Sequence, residues 1–281
     1  MNSGGLRVAV VGHVEWVQFA RVAHVPGAGE VVHARDPFEE PAGGGAVAAV
    51  QLARLAGRST LLTALGVDEQ GRHSLERLGE LGVEARWAAR EERTRRAVTL
   101  VDDGGERTIT TLGERLEPRG EDELGWGELR GTDALYFTAG DERALRAARE
   151  ASAIVVASPR ARHALGHGVR LDALVASAED EVELAALDRG EREAEVVVLT
   201  EGERGGRYRR RDGSSGRYER ARVRGKRVDA YGCGDSFAAG LTYGLGAGLD
   251  LEAALALGAR CGATCLTGAG PYGRQLRGEE L

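Results

Sequence analysis

Gly232, Cys233, Gly234 and Asp235 stand side by side in VDAYGCGDSFAAG (228–240), with helix-forming residues behind them. Three small residues followed by a carboxylate build a poor core but a good anion site. The first N–H groups of a helix have no intrahelical partner, and the peptide dipoles add partial positive charge there. Glycine has no Cβ to keep a phosphate away from those donors. Phosphoryl transfer needs such donors for the charge on the migrating group, and a base beside the attacking hydroxyl. Asp235, one residue beyond the turn, is placed to be that base. The plainer reading is an acid in the first turn of a helix, favourable with the dipole and nothing more. The chain has no G-x-x-x-x-G-K-[ST] run, which argues against a P-loop NTPase. The turn also lies late in the chain for a dinucleotide fingerprint.

The elements that must carry this turn follow an α/β pattern. LRVAVVG (6–12) reads as a buried strand, and residues 14–38 as short, partly exposed strands. AGGGAVAAVQLARLAG (42–57) opens on three glycines and continues as a helix, and STLLTALG (59–66) is strand-like. DEQGRHSLERLGELGV (68–83) has leucines at helical spacing and a stop at Gly82. TRRAVTLVDDGGERTITTL (94–112) is a hairpin around Asp103-Gly104-Gly105. From 133 onward strands alternate with helices: DALYFTAG with DERALRAARE, ASAIVVASP with RARHAL, LDALVAS with AEDEVELAAL, then AEVVVLTEG (194–202). That rhythm predicts a mostly parallel sheet with helices on both faces. GRYRRRDGSSGRYERARV (206–223) reads as an exposed hairpin, its arginines a solvated face or phosphate contacts. Helices from about Gly232 to Leu245 and from Leu251 to Leu266 follow.

Length and composition bound the function. The 281 residues suffice for one α/β domain, taken as 1–281, with a sizeable core. Charged residues at 29% and a net charge of -6 argue against general affinity for nucleic acid or an anionic membrane. Nearly all the basic charge is arginine, Lys226 being the lone lysine. Three cysteines, Cys233, Cys261 and Cys265, argue against a disulfide framework. Cys261 and Cys265 share a helix face and read as small core residues, with a two-thiol metal site as the alternative. With no bilayer-length apolar run and no signal-peptide pattern, a cytoplasmic location is expected.

DAYGCGD (229–235) resembles the D-T-x-G-A-G-D signature of the ribokinase-like (PfkB) carbohydrate kinases. GGGAVAAVQLARL (43–55) resembles their glycine-rich stretch, and GVDEQG (66–71) their G-x-D-x-x-G. The order along the chain, the 94–112 hairpin and the VVLTEGERGG turn also match. The resemblance implies a central, mostly parallel sheet flanked by helices, with a small β-sheet lid from about 14–38 and 94–112. It implies transfer of the γ-phosphate of ATP, with Mg²⁺, to a hydroxyl of a small sugar or nucleoside. Asp235 would be the base, and the N–H groups of Gly232, Cys233 and Gly234 the anion hole. Asp229 would begin the signature and help hold the turn beside the nucleotide. Thr200 and Gly202 would lie near the nucleotide phosphates, and Gly43 and Gly44 would line the sugar pocket. An exposed lid sheet has edges that invite pairing, so a homodimer through the lid is an open expectation.

Departures from the family pattern set the questions for the structure. Ala230 stands where the signature usually has Thr, and Cys233 where it has Ala. That thiol is either acidified by the helix terminus or a tolerated small residue. The family's substrate-binding Asn falls at Val47 and its sugar-gripping Asp at about Val17, with Glu15 the nearest acid. Its magnesium-linked N-x-x-E falls on 178–181, where Ala178 replaces the Asn and Glu181 is retained. His13, just after the first strand, faces the pocket or is structural. An aromatic pocket from Trp16, Phe19 or Phe38 would favour a nucleoside. The substituted positions also admit a binding module without catalysis.

Overall fold

The computed structural model describes residues 5–281. The apolar run ending at Gly12 forms β1 (Val8–Val11), buried along its whole length. The chain then leaves the large sheet for two lid strands, β2 (Glu15–Arg21) and β3 (Arg35–Ala42), and returns through Gly43 into α1 (Gly44–Ala56). The lid strand β3 runs past the expected limit of 38, because its ladder with β2 continues until Ala42 faces Glu15. β4 (Ser59–Gly66), α2 (Glu69–Glu80) and β5 (Val83–Arg90) follow, then the lid hairpin β6 (Arg96–Val101) and β7 (Arg107–Leu112).

The second half is β8 (Thr132–Phe137), α3 (Glu142–Ala151), β9 (Ser152–Ala157), β10 (Leu171–Ser177), α4 (Glu181–Gly190) and β11 (Ala194–Thr200). The exposed hairpin is β12 (Gly206–Arg210) and β13 (Ser215–Tyr218), and the chain closes with α5 (Cys233–Gly246) and α6 (Leu251–Cys265). RARHAL does not form a helix. It holds one short 3-10 turn, Pro159–Ala161, with the Ser158 side chain accepting from the Arg160 N–H. A six-residue segment ahead of glycines at positive φ, Gly166 and Gly168, is too short to sustain helix.

The large sheet has the order β13-β12-β11-β10-β9-β8-β1-β4-β5. From β5 to β11 neighbours run parallel, and β12 and β13 add an antiparallel edge. Alternation along β1 sends Val8 and Val10 to one core and Ala9 and Val11 to the other. α1, α2, α5 and α6 pack on the first face, through Leu52, Leu78, Leu241 and Leu255. α3 and α4 pack on the second, through Leu145 and Leu187. The small sheet, order β3-β2-β6-β7, is separate and carries the lid.

Candidate active site

The two halves of the large sheet part at β1 and β8. α1, after β1, covers one face, and α3, after β8, covers the other. In open α/β sheets the crevice at such a reversal, beyond the carboxyl ends of the strands, takes the ligand. His13 follows β1 and Thr138 follows β8. The start of α1 closes against them backbone to backbone. A Cβ on Gly12 would lie 2.7 Å from Gly45 Cα, and one on Gly45 would lie 2.6 Å from the His13 carbonyl oxygen. Glycine at both positions lets the Gly45 N–H donate to that oxygen at 3.1 Å.

The signature turn comes to the same place. Asp229 is buried, and both carboxylate oxygens accept backbone N–H groups at 2.8 Å, one from Tyr231 and one from Gly270. Its observed work is to hold the turn. Gly232 caps α5 at φ 78, the left-handed region, and a Cβ there would lie 2.9 Å from Val47 Cγ1. Gly234 is exposed and open on its Cβ side, while the Cys233 N–H turns back to donate to the Ala230 carbonyl at 3.5 Å. Asp235 follows, half-buried, its Oδ1 2.9 Å from where a Cβ on Gly44 would sit. The glycine-rich stretch and the signature therefore meet at Gly44 and Asp235.

Around them lies a cluster of buried polar groups. The Gly44 N–H points to His13 Nε2 at 3.4 Å, which leaves the ring proton on Nδ1, buried and unpartnered. Thr138 Oγ1 is likewise buried without a partner. Glu15, on the inward face of β2, packs on Gly43 and pairs with Arg95 at 3.5 Å. GVDEQG explains how Arg95 is held. Asp68 caps α2 through the Gly71 N–H and also accepts from the Thr94 N–H and hydroxyl, which fixes the residue before Arg95. Burial raises the Asp235 carboxyl above the usual carboxylate range, with Arg160 and Arg107 pulling it back. Burial raises Glu15 as well, against the pull of Arg95. Burial holds His13 well below the usual imidazole range, helped by Arg115, Arg160 and Arg95, so the ring is neutral at pH 7.

The other expected residues fall as follows. Thr200 ends β11, its hydroxyl 3.4 Å from the Ala176 carbonyl, and Gly202 opens the next turn at φ 57. Arg227 links this turn to the lid by pairing with Glu203 and with Glu106 at the hairpin tip. Glu181 is exposed at the first position of α4. The acid of that helix turned inward is Glu183, which accepts from Arg160 Nε and from the Ser177 N–H. No group of three or more His, Cys, Asp or Glu could cage a metal among the described residues. Val17 and Val47 are both fully buried, Val17 on the same face of β2 as Glu15, Val47 beneath Gly232.

The structure bears on two alternatives left open by the sequence. The Cys233 thiol is not acidified: a hydrogen bond with Cys265 and burial push it well above the usual thiol range. The aromatics do not form an open pocket for a base. Phe19 is buried, stacked on Phe38 at 4.9 Å and edge-on to Tyr231 at 4.8 Å, so both rings fasten the lid to the signature turn. Trp16 lies apart, bonded to Glu39 and beside His73. Sequence reasoning missed Arg160 and Thr138. Both follow parallel strands at their carboxyl ends, which was the available signal.

One crevice of a doubly wound α/β fold thus brings together the glycine turn that opens α5, the Asp235 carboxylate and the small sheet. The family model for pfkB family carbohydrate kinases matches residues 6–150 and 170–275. The chain belongs to that family and is a sugar kinase. An ATP-dependent ribose-1-phosphate kinase from Halopiger xanaduensis is 30% identical over 277 residues, covering 92% of this chain and 91% of that one. Ribokinase from Thermotoga maritima superposes with a TM-score of 0.77 at 23% identity, covering 98% of this chain and 97% of that one. Arabidopsis thaliana ribokinase, solved with ribose and ATP, gives 0.75 at 17% identity, covering 98% and 97%.

Proposed function

We propose that this chain uses ATP to phosphorylate a hydroxyl of a small sugar or sugar phosphate, with Asp235 as the general base. The observation that carries the reading is Asp235 at the first turn of α5, its Oδ1 against Gly44 and the exposed Gly234 beside it. Asp235 takes the proton of the acceptor hydroxyl. The acceptor oxygen forms its bond to the γ-phosphorus as the bond to ADP breaks. The 232–234 turn stabilises the charge that moves. The raised Asp235 carboxyl is a stronger base than a solvated one once ionised. Thr200 and Gly202, at the end of β11, support the nucleotide phosphates.

Magnesium fits this donor set, because it is commonly held by one or two carboxylates plus substrate phosphates. Glu181, exposed at the start of α4, is the residue that would hold it, Glu183 being committed to Arg160. When bound, the ion neutralises charge on the β- and γ-phosphates.

A phosphorylated acceptor is favoured by the Halopiger xanaduensis relative, which is described as a ribose-1-phosphate kinase. Arg95, Arg115 and Arg160 near His13 are each paired with a carboxylate in this structure. Val17 and Val47 offer no hydrogen bond to a sugar hydroxyl, so selectivity for a free pentose through those positions is lost. The test is ADP formation from Mg·ATP across pentoses, hexoses, their 1- and 5- or 6-phosphates, and nucleosides. Turnover dependent on a sugar 1-phosphate supports the reading. Turnover with nucleosides alone overturns the acceptor assignment, and ATP binding with no turnover favours a module without catalysis.

A further inference from the structure

The arginines around the exposed hairpin divide into two sets. Those on β12, β13 and the turn between them are neutralised. Arg207 and Arg217 pair with Glu201, Arg209 with Glu191, Arg210 with Glu252 and Arg211 with Glu195. Beyond β13 the chain runs irregularly to the signature turn, and from 219 to 228 it carries five basic residues and one acid, Glu219. Arg227 is committed to Glu106 and Glu203. Arg220, Arg222, Arg224 and Lys226 are exposed, and among the described residues none of them pairs with a carboxylate. Like charges so close together repel one another, and no contact within the fold repays that cost.

The segment borders the crevice on its nucleotide side. At its start a Cβ on Gly205 would lie 2.9 Å from the Arg220 nitrogen, so the chain passes over the turn that follows Thr200 and Gly202. Midway, a Cβ on Gly225 would lie 3.4 Å from Thr267 Cγ2. At its end the Val228 N–H donates to the Leu266 carbonyl at 2.9 Å, and Asp229 opens the signature. Four unpaired cations thus run between the two stretches assigned to phosphate, on a chain whose net charge is -6.

We propose that Arg220, Arg222, Arg224 and Lys226 form an electrostatic guide, which speeds the association of Mg·ATP with the crevice without holding it once bound. This rests on the kinase reading above, with Thr200 and Gly202 at the nucleotide phosphates. Mg·ATP carries net negative charge, and the four side chains keep their positive charge at any working pH. Their field reaches about 8–10 Å at physiological salt, beyond contact range. A cleft bordered by one sign of charge raises the encounter rate of an oppositely charged ligand by about 10–10³-fold, and added salt removes the gain.

The test is stopped-flow association and dissociation of a fluorescent Mg·ATP analogue, from about 20 mM to about 0.5 M salt. Wild type is compared with the triple variant Arg220→Gln, Arg222→Gln, Arg224→Gln. A control loses the same charge at the opposite pole through Arg58→Gln, Arg130→Gln, Arg192→Gln, three exposed residues just ahead of β4, β8 and β11. At low salt the guide variant should associate about tenfold more slowly, with dissociation within about twofold of wild type. At the highest salt the association gap should close to within about twofold. The control, and a triple Arg→Lys variant at 220, 222 and 224, should stay within about twofold of wild type throughout. Unchanged association in the guide variant overturns the proposal. So does an equal loss in the control, which marks net charge alone, or an equal loss in the Arg→Lys variant, which marks structure. A loss that lies in dissociation and survives high salt also overturns it, because the side chains would then hold the bound nucleotide. A wild type that binds no Mg·ATP overturns the kinase reading and this inference with it. A wild type whose association ignores salt overturns the guide alone.

Discussion

A Cβ added to Gly44 would lie 2.9 Å from Asp235 Oδ1 and 3.2 Å from Thr138 Oγ1. The glycine-rich start of α1 is therefore a wall of the site, cut to the depth of the carboxylate. Gly44 does not have positive φ, so alanine there fits the helix and improves its propensity by up to about 1 kcal/mol. Gly44→Ala should leave the unfolding midpoint near wild type while displacing Asp235, with a loss in kcat on the order of 100-fold. Calorimetry and turnover on the same preparation check it. A variant that is both folded and fully active would show that Asp235 tolerates displacement.

The raised Asp235 carboxyl has a consequence for stability. A carboxyl whose folded pKa lies above its unfolded value binds its proton more tightly in the fold. Its contribution favours folding below the unfolded value and is lost as pH rises through the folded one. At pH 7 the ionised group is thus a cost to the fold. Asp235→Asn should match or exceed the wild-type unfolding midpoint at pH 7, by about 2 °C, with the gain vanishing near pH 4. Thermal unfolding of both proteins across that range decides it, and a neutral-pH loss of several degrees would contradict the burial argument.

Gly232 meets two demands at once, φ 78 and contact with Val47 at 2.9 Å for any added Cβ. Gly232→Ala should cost about 2–4 kcal/mol, from left-handed strain and overpacking together. Val47→Ala in the same chain relieves the packing part alone. The double variant should be more stable than the sum of the single losses by about 1 kcal/mol. Strict additivity, measured by denaturant unfolding, would place the whole cost in the backbone.

Cys233 sits in the anion turn, but its thiol is held in the neutral form by Cys265 and burial. Alkylation by iodoacetamide at pH 7.5 should run at under about one-tenth the rate of an ordinary exposed thiol. Cys233→Ala should keep kcat within about threefold. Peptide mass spectrometry reads the first, and rapid labelling at Cys233 would restore the idea of a reactive thiol.

Much of this was legible in the sequence, for a physical reason. Buried parallel strands such as STLLTALG are continuous apolar runs, and β4 occupies 59–66 as read. The glycines of the signature and of 43–45 are constrained by close backbone approach, which leaves a pattern. β5 was not read, because VEARWAAR is an edge strand of Ala and Arg with alternating exposure and weak strand propensity. The end of β3 at Ala42 was set by pairing with β2, a long-range fact with no local mark. Among the acids of α4, the family resemblance pointed to Glu181, and the acid turned inward to Arg160 is Glu183. Arg107 reads as one more surface arginine until the hairpin brings its Nη1 to the Ala230 carbonyl. Side chains that converge through tertiary contact have no spacing to betray them.

The most direct measurement is steady-state ADP formation by wild type and Asp235→Asn with the best acceptor, alongside Mg·ATP affinity for each. The account predicts that kcat falls by about 10²–10⁴-fold while ATP affinity stays within about threefold. Unchanged turnover in Asp235→Asn would contradict it, because the carboxylate at the mouth of α5 would then not be the base.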